Sequence, residues 1–191
     1  MESNSSQKPL TELLMHESAQ LHDNIQRCLD DMNKLSALAF PIVTGVFLLA
    51  IEDKLSEVKD PGTLFSLFAV LSSVIAIIFN NVWMQLLGFT RYKYVEVLPR
   101  LYRIAGRDGE NFGQYVARGG LVRAMTGSIV IQAVLLPVAA ASCYKVWADY
   151  HQNTYAVGAY FAIALAAATT IISWRVAYET VGTAAASARP E

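Results

Sequence analysis

Four stretches of the chain contain no Asp, Glu, Lys or Arg, and each is close to the length of a membrane-spanning helix. They are Leu35–Ile51, Gly62–Thr90, Ala124–Tyr144 and Tyr150–Trp174. A helix needs roughly 20 apolar residues to cross a hydrocarbon core about 30 Å thick. One such stretch is also typical of a buried helix in a soluble protein, but four in 191 residues leave too little polar chain to cover them. The sequence therefore predicts an all-α fold, an integral membrane bundle of four transmembrane helices.

The composition supports this fold class and divides the chain into segments. Charged residues make up 16% of the chain, against roughly 25% in average globular proteins, and the shortage is concentrated in the four stretches. We predict a cytoplasmic amphipathic helix over residues 1–34, a transmembrane domain over 35–174 and a cytoplasmic tail over 175–191. The expected spans lie at about 35–51, 64–89, 125–147 and 155–174, with a basic helical connection at about 90–124.

The distribution of basic residues predicts an orientation. With four spans, both termini and the 90–124 connection lie on the same side of the membrane. The opposite side holds Lys54, Lys59 and Lys145, which leaves 12 of the 15 lysines and arginines on the side of the termini. Short loops rich in Lys and Arg stay cytoplasmic. We therefore expect a protein of the cytoplasmic (inner) membrane with both termini inside.

The amino-terminal segment carries an apolar stripe with coiled-coil spacing. Its apolar members are Leu14, Leu21, Ile25, Cys28 and Met32. When Ser18, the one polar residue of the series, is included, successive members are three or four residues apart. A helix with a single apolar stripe must bury that stripe. We favour a seam between copies in a homo-oligomer. Packing against the 91–123 region of the same chain, or on the membrane surface, are the alternatives.

A small set of polar side chains falls inside the predicted spans. At about 1.5 Å of rise per residue, these side chains belong to the inner half of the bilayer: Thr44, Asn80, Asn81, Gln85, Gln132 and Thr170. Amides are costly in hydrocarbon unless they meet protein or water. The layer therefore either lines a path open to water or ions, or joins helices by hydrogen bonds. No ionisable side chain lies mid-membrane, which argues against a proton relay or an ion-coupled transport site.

A third candidate feature is the basic surface of the cytoplasmic connection. It comprises seven side chains: Arg91, Lys93, Arg100, Arg103, Arg107, Arg118 and Arg123. Juxtamembrane lysines and arginines attract anionic headgroups at about 1 kcal/mol each. We therefore predict contacts with membrane lipids, and an acidic cytoplasmic protein partner is the alternative.

No motif in the chain points to catalysis, a cofactor or a metal. The two cysteines, Cys28 and Cys143, fall on opposite sides of the membrane, and the three histidines lack zinc-binding spacing. No phosphate-binding loop or nucleophile elbow is present. With a net charge of −1 the chain is not an obvious nucleic-acid binder. We predict a protein that is not an enzyme and needs no cofactor.

Two functions of different class fit this pattern. The first is a homo-oligomeric pore or membrane-perturbing effector, weakly selective because the spans hold no ion-binding carboxylates. The second is a membrane anchor or scaffold that recruits a cytoplasmic protein through its amino-terminal helix and the basic 91–123 surface. The joint occurrence of intramembrane amides and a coiled-coil seam favours the first.

Overall fold

The structure is a computed structural model of the whole chain. It describes residues 4–51, 60–106, 129, 132–149 and 155–186, and the side chains within 9–45, 60–106, 129, 132–149 and 155–179. All regular elements within these residues are helices, and no strand occurs among them. The prediction of an all-α chain is therefore confirmed for the described residues.

Five helices and one π-helical segment make up the described residues. They are α1 (Asn4–Ile51), α2 (Pro61–Arg91), a π-helical segment (Tyr92–Val97), α3 (Leu98–Ile104), α4 (132–149) and α5 (Ala156–Ala186). The predicted amino-terminal helix and the first predicted span form a single helix, α1, of 48 residues. Of the third predicted span, 125–147, only residue 129 and residues 132–147 lie among those described.

Within the part of the chain that the structure describes, two helices are long and apolar enough to cross a membrane. They are the continuous helical stretch Pro61–Ile104, with 44 residues, and Ala156–Glu179, with 24 residues. These helices contain the second and fourth predicted spans. The assignment rests on length and composition, because a helix of about 20 residues matches the thickness of a bilayer core.

Helix α2 begins where the sequence places a strong start signal. The backbone N–H and the hydroxyl of Thr63 donate hydrogen bonds to the carboxylate of Asp60, at 3.1 Å and 2.6 Å. Pro61 occupies the first helical position, where its missing N–H costs no hydrogen bond. The bonds from Thr63 hold the pKa of Asp60 below its usual value. The cap is therefore present at neutral pH and is lost as the pH falls through that lowered pKa.

Proline usually interrupts a helix, but the helical stretch that begins with α2 continues past Pro99. The chain stays helical to Ile104, with a wider π-helical turn at Tyr92–Val97, in which the N–H of Leu98 bonds to the carbonyl of Lys93. Pro99 then lies in the first turn of α3, where a proline is tolerated because no N–H is needed there. Gly106, at φ 65°, ends the helical stretch in the left-handed conformation that glycine adopts without strain.

The described residues fall into two compact units. The first unit draws on Met1–Asp30, Trp83–Thr126 and Arg175–Glu191, and the second on Asp31–Val82 and Gly127–Trp174. The second unit thus takes residues from all four uncharged stretches.

The second unit is held together by three clusters of buried apolar side chains. They are Ala39, Ile75, Ala76, Leu135 and Ala166; Phe65, Val146 and Ala156; and Ala69, Cys143 and Ala159. The first cluster joins α1, α2, α4 and α5. Alanine is frequent in all three clusters, and small side chains let helix backbones approach closely.

Candidate functional site

Asn80 lies at the centre of a hydrogen-bonded network inside the second unit. Its side chain is 2% exposed. Its amide nitrogen donates to the hydroxyls of Thr170, at 2.9 Å, and Thr169, at 3.3 Å. Its amide oxygen accepts from the side-chain nitrogen of Gln132. The hydroxyl of Ser173, 3.3 Å from the same oxygen, shares its one proton with the carbonyl of Thr170 at 2.9 Å. All the hydrogen-bonding capacity of this amide is therefore used within one chain.

The orientation of the Asn80 amide follows from the threonines that it meets. Both Thr169 and Thr170 donate their hydroxyl protons to the carbonyl of Ala166, at 2.9 Å and 2.8 Å. Their oxygens can then only accept a further hydrogen bond. The group of Asn80 that meets these two threonines must be its NH₂ group, which leaves the oxygen to accept from Gln132 and Ser173.

Gln132 extends the network to the indole of Trp174. The indole N–H donates to the side-chain oxygen of Gln132 at 2.6 Å, and Gln132 itself is 1% exposed. The network therefore joins α2, α4 and α5 through side chains alone. In a low-dielectric interior, such a satisfied network strengthens and fixes the packing of its helices.

The predicted layer included three of the six members of this network. Asn80, Gln132 and Thr170 were expected in one layer, and the structure brings them into direct contact. Ser173 and Trp174 were not expected there. The available signal was their position three and four residues after Thr170, which places all three on one face of a helix.

The other three members of the predicted layer lie elsewhere. Thr44 donates to the carbonyl of Phe40 in its own helix, at 2.9 Å. Asn81 and Gln85 are both exposed on α2. The single predicted layer is thus a closed network around Asn80 and a separate exposed pair of amides.

The exposed surface of α2 is a single line of residues. Between Pro61 and Thr90 seven residues are exposed, and they follow each other in alternating steps of four and three: Leu67, Leu71, Val74, Ile78, Asn81, Gln85 and Gly88. We call this set the α2 stripe. Its first four members are apolar, and its last three are two amides and a glycine.

A second line of polar side chains follows the buried side of α2. Ser66, Ser73 and Asn80 are seven residues apart, and all three are buried. Five buried hydroxyls of the second unit have no hydrogen-bond partner among the described residues: Ser66, Ser72, Ser73, Ser142 and Tyr160. Polar groups on the buried side of α2 therefore extend beyond the Asn80 network, although only that network is joined by hydrogen bonds.

The predicted seam on α1 is already covered by this chain over its first two members. Leu14 and Leu21 pack with Val97 inside the first unit, and Phe89, Leu101 and Ile104 surround them. Cys28 and Met32 are also buried, and Ile25 is half-buried. For Leu14 and Leu21 the structure therefore matches the intramolecular alternative. A seam between copies at the other three positions stays a prediction.

The predicted basic surface is a mixed one where the structure describes it. Arg100 pairs with Glu96 at 3.2 Å, although both side chains are about half exposed or more, so the pair contributes little stability. Arg91 and Arg103 are exposed. Arg107, Arg118 and Arg123 lie outside the described residues.

Two side chains here, Tyr92 and the surface member Lys93, interact with acidic residues of α1. The hydroxyl of Tyr92 donates to the carboxylate of Glu17 at 2.8 Å, which raises the pKa of Tyr92. Lys93 is buried, and burial lowers its pKa although the charge of Asp23 acts in the opposite direction. Both residues lie beyond the predicted span 64–89. The acidic groups of α1 thus balance part of the positive charge expected here.

Comparisons with protein-family models, curated proteins and solved structures found no match to this chain. Among the described residues, no group of three or more His, Cys, Asp or Glu side chains is placed to hold a metal ion. The polar groups of the Asn80 network and the α2 stripe are therefore the features from which a function can be argued.

Proposed function

We propose that this protein is a homo-oligomeric integral membrane protein that forms a weakly selective pore or otherwise perturbs the membrane. In this proposal the chain crosses the cytoplasmic membrane four times, with both termini and the 90–124 connection in the cytoplasm. The helices Pro61–Ile104 and Ala156–Glu179 supply the second and fourth crossings.

The observation that carries the proposal is the exposure of two amides on an apolar helix. Asn81 and Gln85 lie on the α2 stripe, four residues apart and therefore on one face. An amide exposed to hydrocarbon without a partner loses its hydrogen bonds to water, at a cost of several kcal/mol. These amides therefore need either water or another protein surface, and a water-filled path shared by several copies provides both.

The Asn80 network supports the same assignment by exclusion. Its amides are bonded to side chains of the same chain, so these amides do not offer a lining for a path through a single bundle. A path would then run along the α2 stripes of neighbouring copies. A lumen lined by amides and small apolar groups presents no charge, and so we expect weak ion selectivity.

The scaffold alternative has less support from the described residues. Two members of its proposed docking surface already interact with carboxylates of this chain, Arg100 with Glu96 and Lys93 with Asp23. A basic docking surface attracts an acidic partner through complementary charge. Such a partner would have to compete with these carboxylates for the same basic residues.

A vesicle release assay tests the pore. Purified protein is inserted into lipid vesicles that contain a small fluorescent dye, and release is followed in time. We expect the wild type to release the dye and the double variant Asn81→Leu/Gln85→Leu to release little more than protein-free vesicles, because the leucines remove the polar lining. Wild-type protein that is inserted and assembled but releases no dye would contradict the pore.

A matched control separates the lining from general effects of losing amides. Gln26 and Asn33 are exposed on α1, before the first predicted span. The double variant Gln26→Leu/Asn33→Leu removes two exposed amides outside the predicted membrane segment. It should release dye at the wild-type rate, and equal losses in both double variants would remove the support for a lining role of α2.

A further inference from the structure

The α2 stripe has the geometry of a helix–helix seam. Its residues alternate in steps of four and three from Leu67 to Gly88, an average of 3.5 residues, which is the spacing of a coiled-coil interface. All other residues of α2 from Pro61 to Thr90 are buried or half-buried. The one face of α2 that its own chain does not cover is therefore also the face with interface spacing.

The two amides indicate what kind of surface covers the stripe. A carboxamide carries both donors and acceptors, so it is complementary to an identical carboxamide. A buried asparagine in such a seam fixes the register, because a shifted pairing would leave it opposite an apolar residue. Asn81 and Gln85 therefore fit best against the same residues of another copy.

Gly88 marks a point of close approach. Apart from its own turn of helix, a methyl group added at Gly88 would meet no atom of the described residues within 4 Å. The glycine is thus not required for packing within the chain. Small residues on the exposed faces of membrane helices let two backbones come together, and Gly88 lies on the same face as the two amides.

The direction of the partner helix follows from insertion. Every copy has the same distribution of basic residues, and this distribution sets the same orientation in the membrane. The α2 helices of neighbouring copies must then run parallel, which allows identical residues to meet along the whole stripe.

From these observations we infer that the α2 stripe is the surface through which copies of this chain assemble, with parallel helices in register around a common axis. Asn81 faces Asn81 and Gln85 faces Gln85 across that axis, and the apolar residues from Leu67 to Ile78 form the remaining contacts. The inference rests on the proposed function in that it requires a homo-oligomer inserted in the membrane.

Disulfide cross-linking along α2 tests this assembly. Cys28 and Cys143 are buried, and a background variant with both replaced by alanine removes their thiols. Single cysteines are then introduced at Val74, Ile78, Asn81 and Gln85, and membranes are oxidised before electrophoresis. We expect a cross-linked dimer at all four positions, because parallel helices in register bring identical positions together.

A cysteine on another exposed face provides the control. Ile171 on α5 is 69% exposed, more than any apolar residue of the α2 stripe, and lies in the fourth predicted span. Ile171→Cys should give no cross-link. Cross-links at Ile171 as strong as those on α2 would mean random collision, and a cross-link at only one α2 position would mean crossing or antiparallel helices. Either result would overturn the inference.

A second variant keeps the test independent of folding. Gly88 is exposed, and a Cβ added there meets nothing within 4 Å among the described residues, so Gly88→Leu should leave the helical circular dichroism spectrum unchanged. It should nevertheless weaken the cross-link at Gln85, one turn away, because the leucine separates the two helices. An undiminished cross-link would show that the backbones do not approach at Gly88 and would contradict the proposed seam.

The cross-linking and dye-release results can fail separately. Cross-links at all four positions without dye release would leave the assembly intact and remove the pore. Dye release without cross-links on α2 would keep the pore and overturn the α2 seam.

Discussion

Replacing Asn80 by leucine should lower the free energy of unfolding by about 2 kcal/mol, whereas the same change at the adjacent Asn81 should alter it by less than about 0.5 kcal/mol. Asn80 makes four side-chain hydrogen bonds inside its own chain. At roughly 0.6 kcal/mol per bond in a membrane interior, their loss gives about the same total. Leucine also leaves the buried side-chain nitrogen of Gln132 without its acceptor.

The pair of variants is matched in chemistry, in neighbourhood and in the predicted depth in the membrane. The measurement is reversible unfolding in mixed detergent micelles, followed by circular dichroism on protein dilute enough to be monomeric. If Asn80→Leu and Asn81→Leu are equally stable under these conditions, the Asn80 network does not hold α2, α4 and α5 together. A loss of dye release in Asn81→Leu with wild-type stability would separate the roles of the two residues.

Replacing Leu14 by alanine should destabilise the first unit by about 3 kcal/mol. Leu14 is 5% exposed and packs with Leu21 and Val97. Removing its side chain leaves a cavity in addition to the lost burial, and the neighbouring side chains relax only in part. We expect earlier thermal unfolding and faster proteolysis of α1 in Leu14→Ala.

The neighbouring leucine is the control for this prediction. Leu13 is 62% exposed, so Leu13→Ala should change the stability by less than about 0.5 kcal/mol. The loss in Leu14→Ala should not depend on protein concentration, since the contact lies within one chain. A loss that disappears at high protein concentration would instead indicate that Leu14 belongs to a seam between copies.

The helical content of the chain was predictable because absent charge is a strong signal. A stretch as long as Gly62–Thr90 without a charged residue is typical of a helix that is surrounded by lipid or protein and not by water. The second span was predicted to begin only at about residue 64, although Asp60 and Pro61 form a standard start signal for α2. Both signals are local, and the structure places helices where they occur.

The same patterns do not predict which residues each face of a helix contacts. Successive residues of a helix point about 100° apart, so Asn80 and Asn81 had to face different surroundings. The sequence does not state which of the two faces the other helices of the chain. The predicted seam on α1 shows the same limit. The spacing of its apolar residues predicted that they are buried, but the residues that cover Leu14 and Leu21 are more than 60 positions away in the sequence.

The continuation of the helix past Pro99 had a related cause. Proline removes one backbone donor, and the sequence alone favours a break at that point. The π-helical turn at Tyr92–Val97 changes which carbonyl each N–H meets, and this shift places Pro99 in a first turn where no donor is needed. Such a change of hydrogen-bond register has no signature in composition or periodicity.

The most direct test of the central claim is whether water reaches the α2 stripe within the membrane. Single cysteines at Asn81, Gln85 and Ile171, in the background without Cys28 and Cys143, are exposed to a membrane-impermeant thiol reagent in lipid vesicles. If Asn81 and Gln85 face a shared water-filled axis, both positions react and Ile171→Cys, which faces lipid, does not. Equal lack of reaction at all three positions would show that water does not reach the stripe and would contradict the pore.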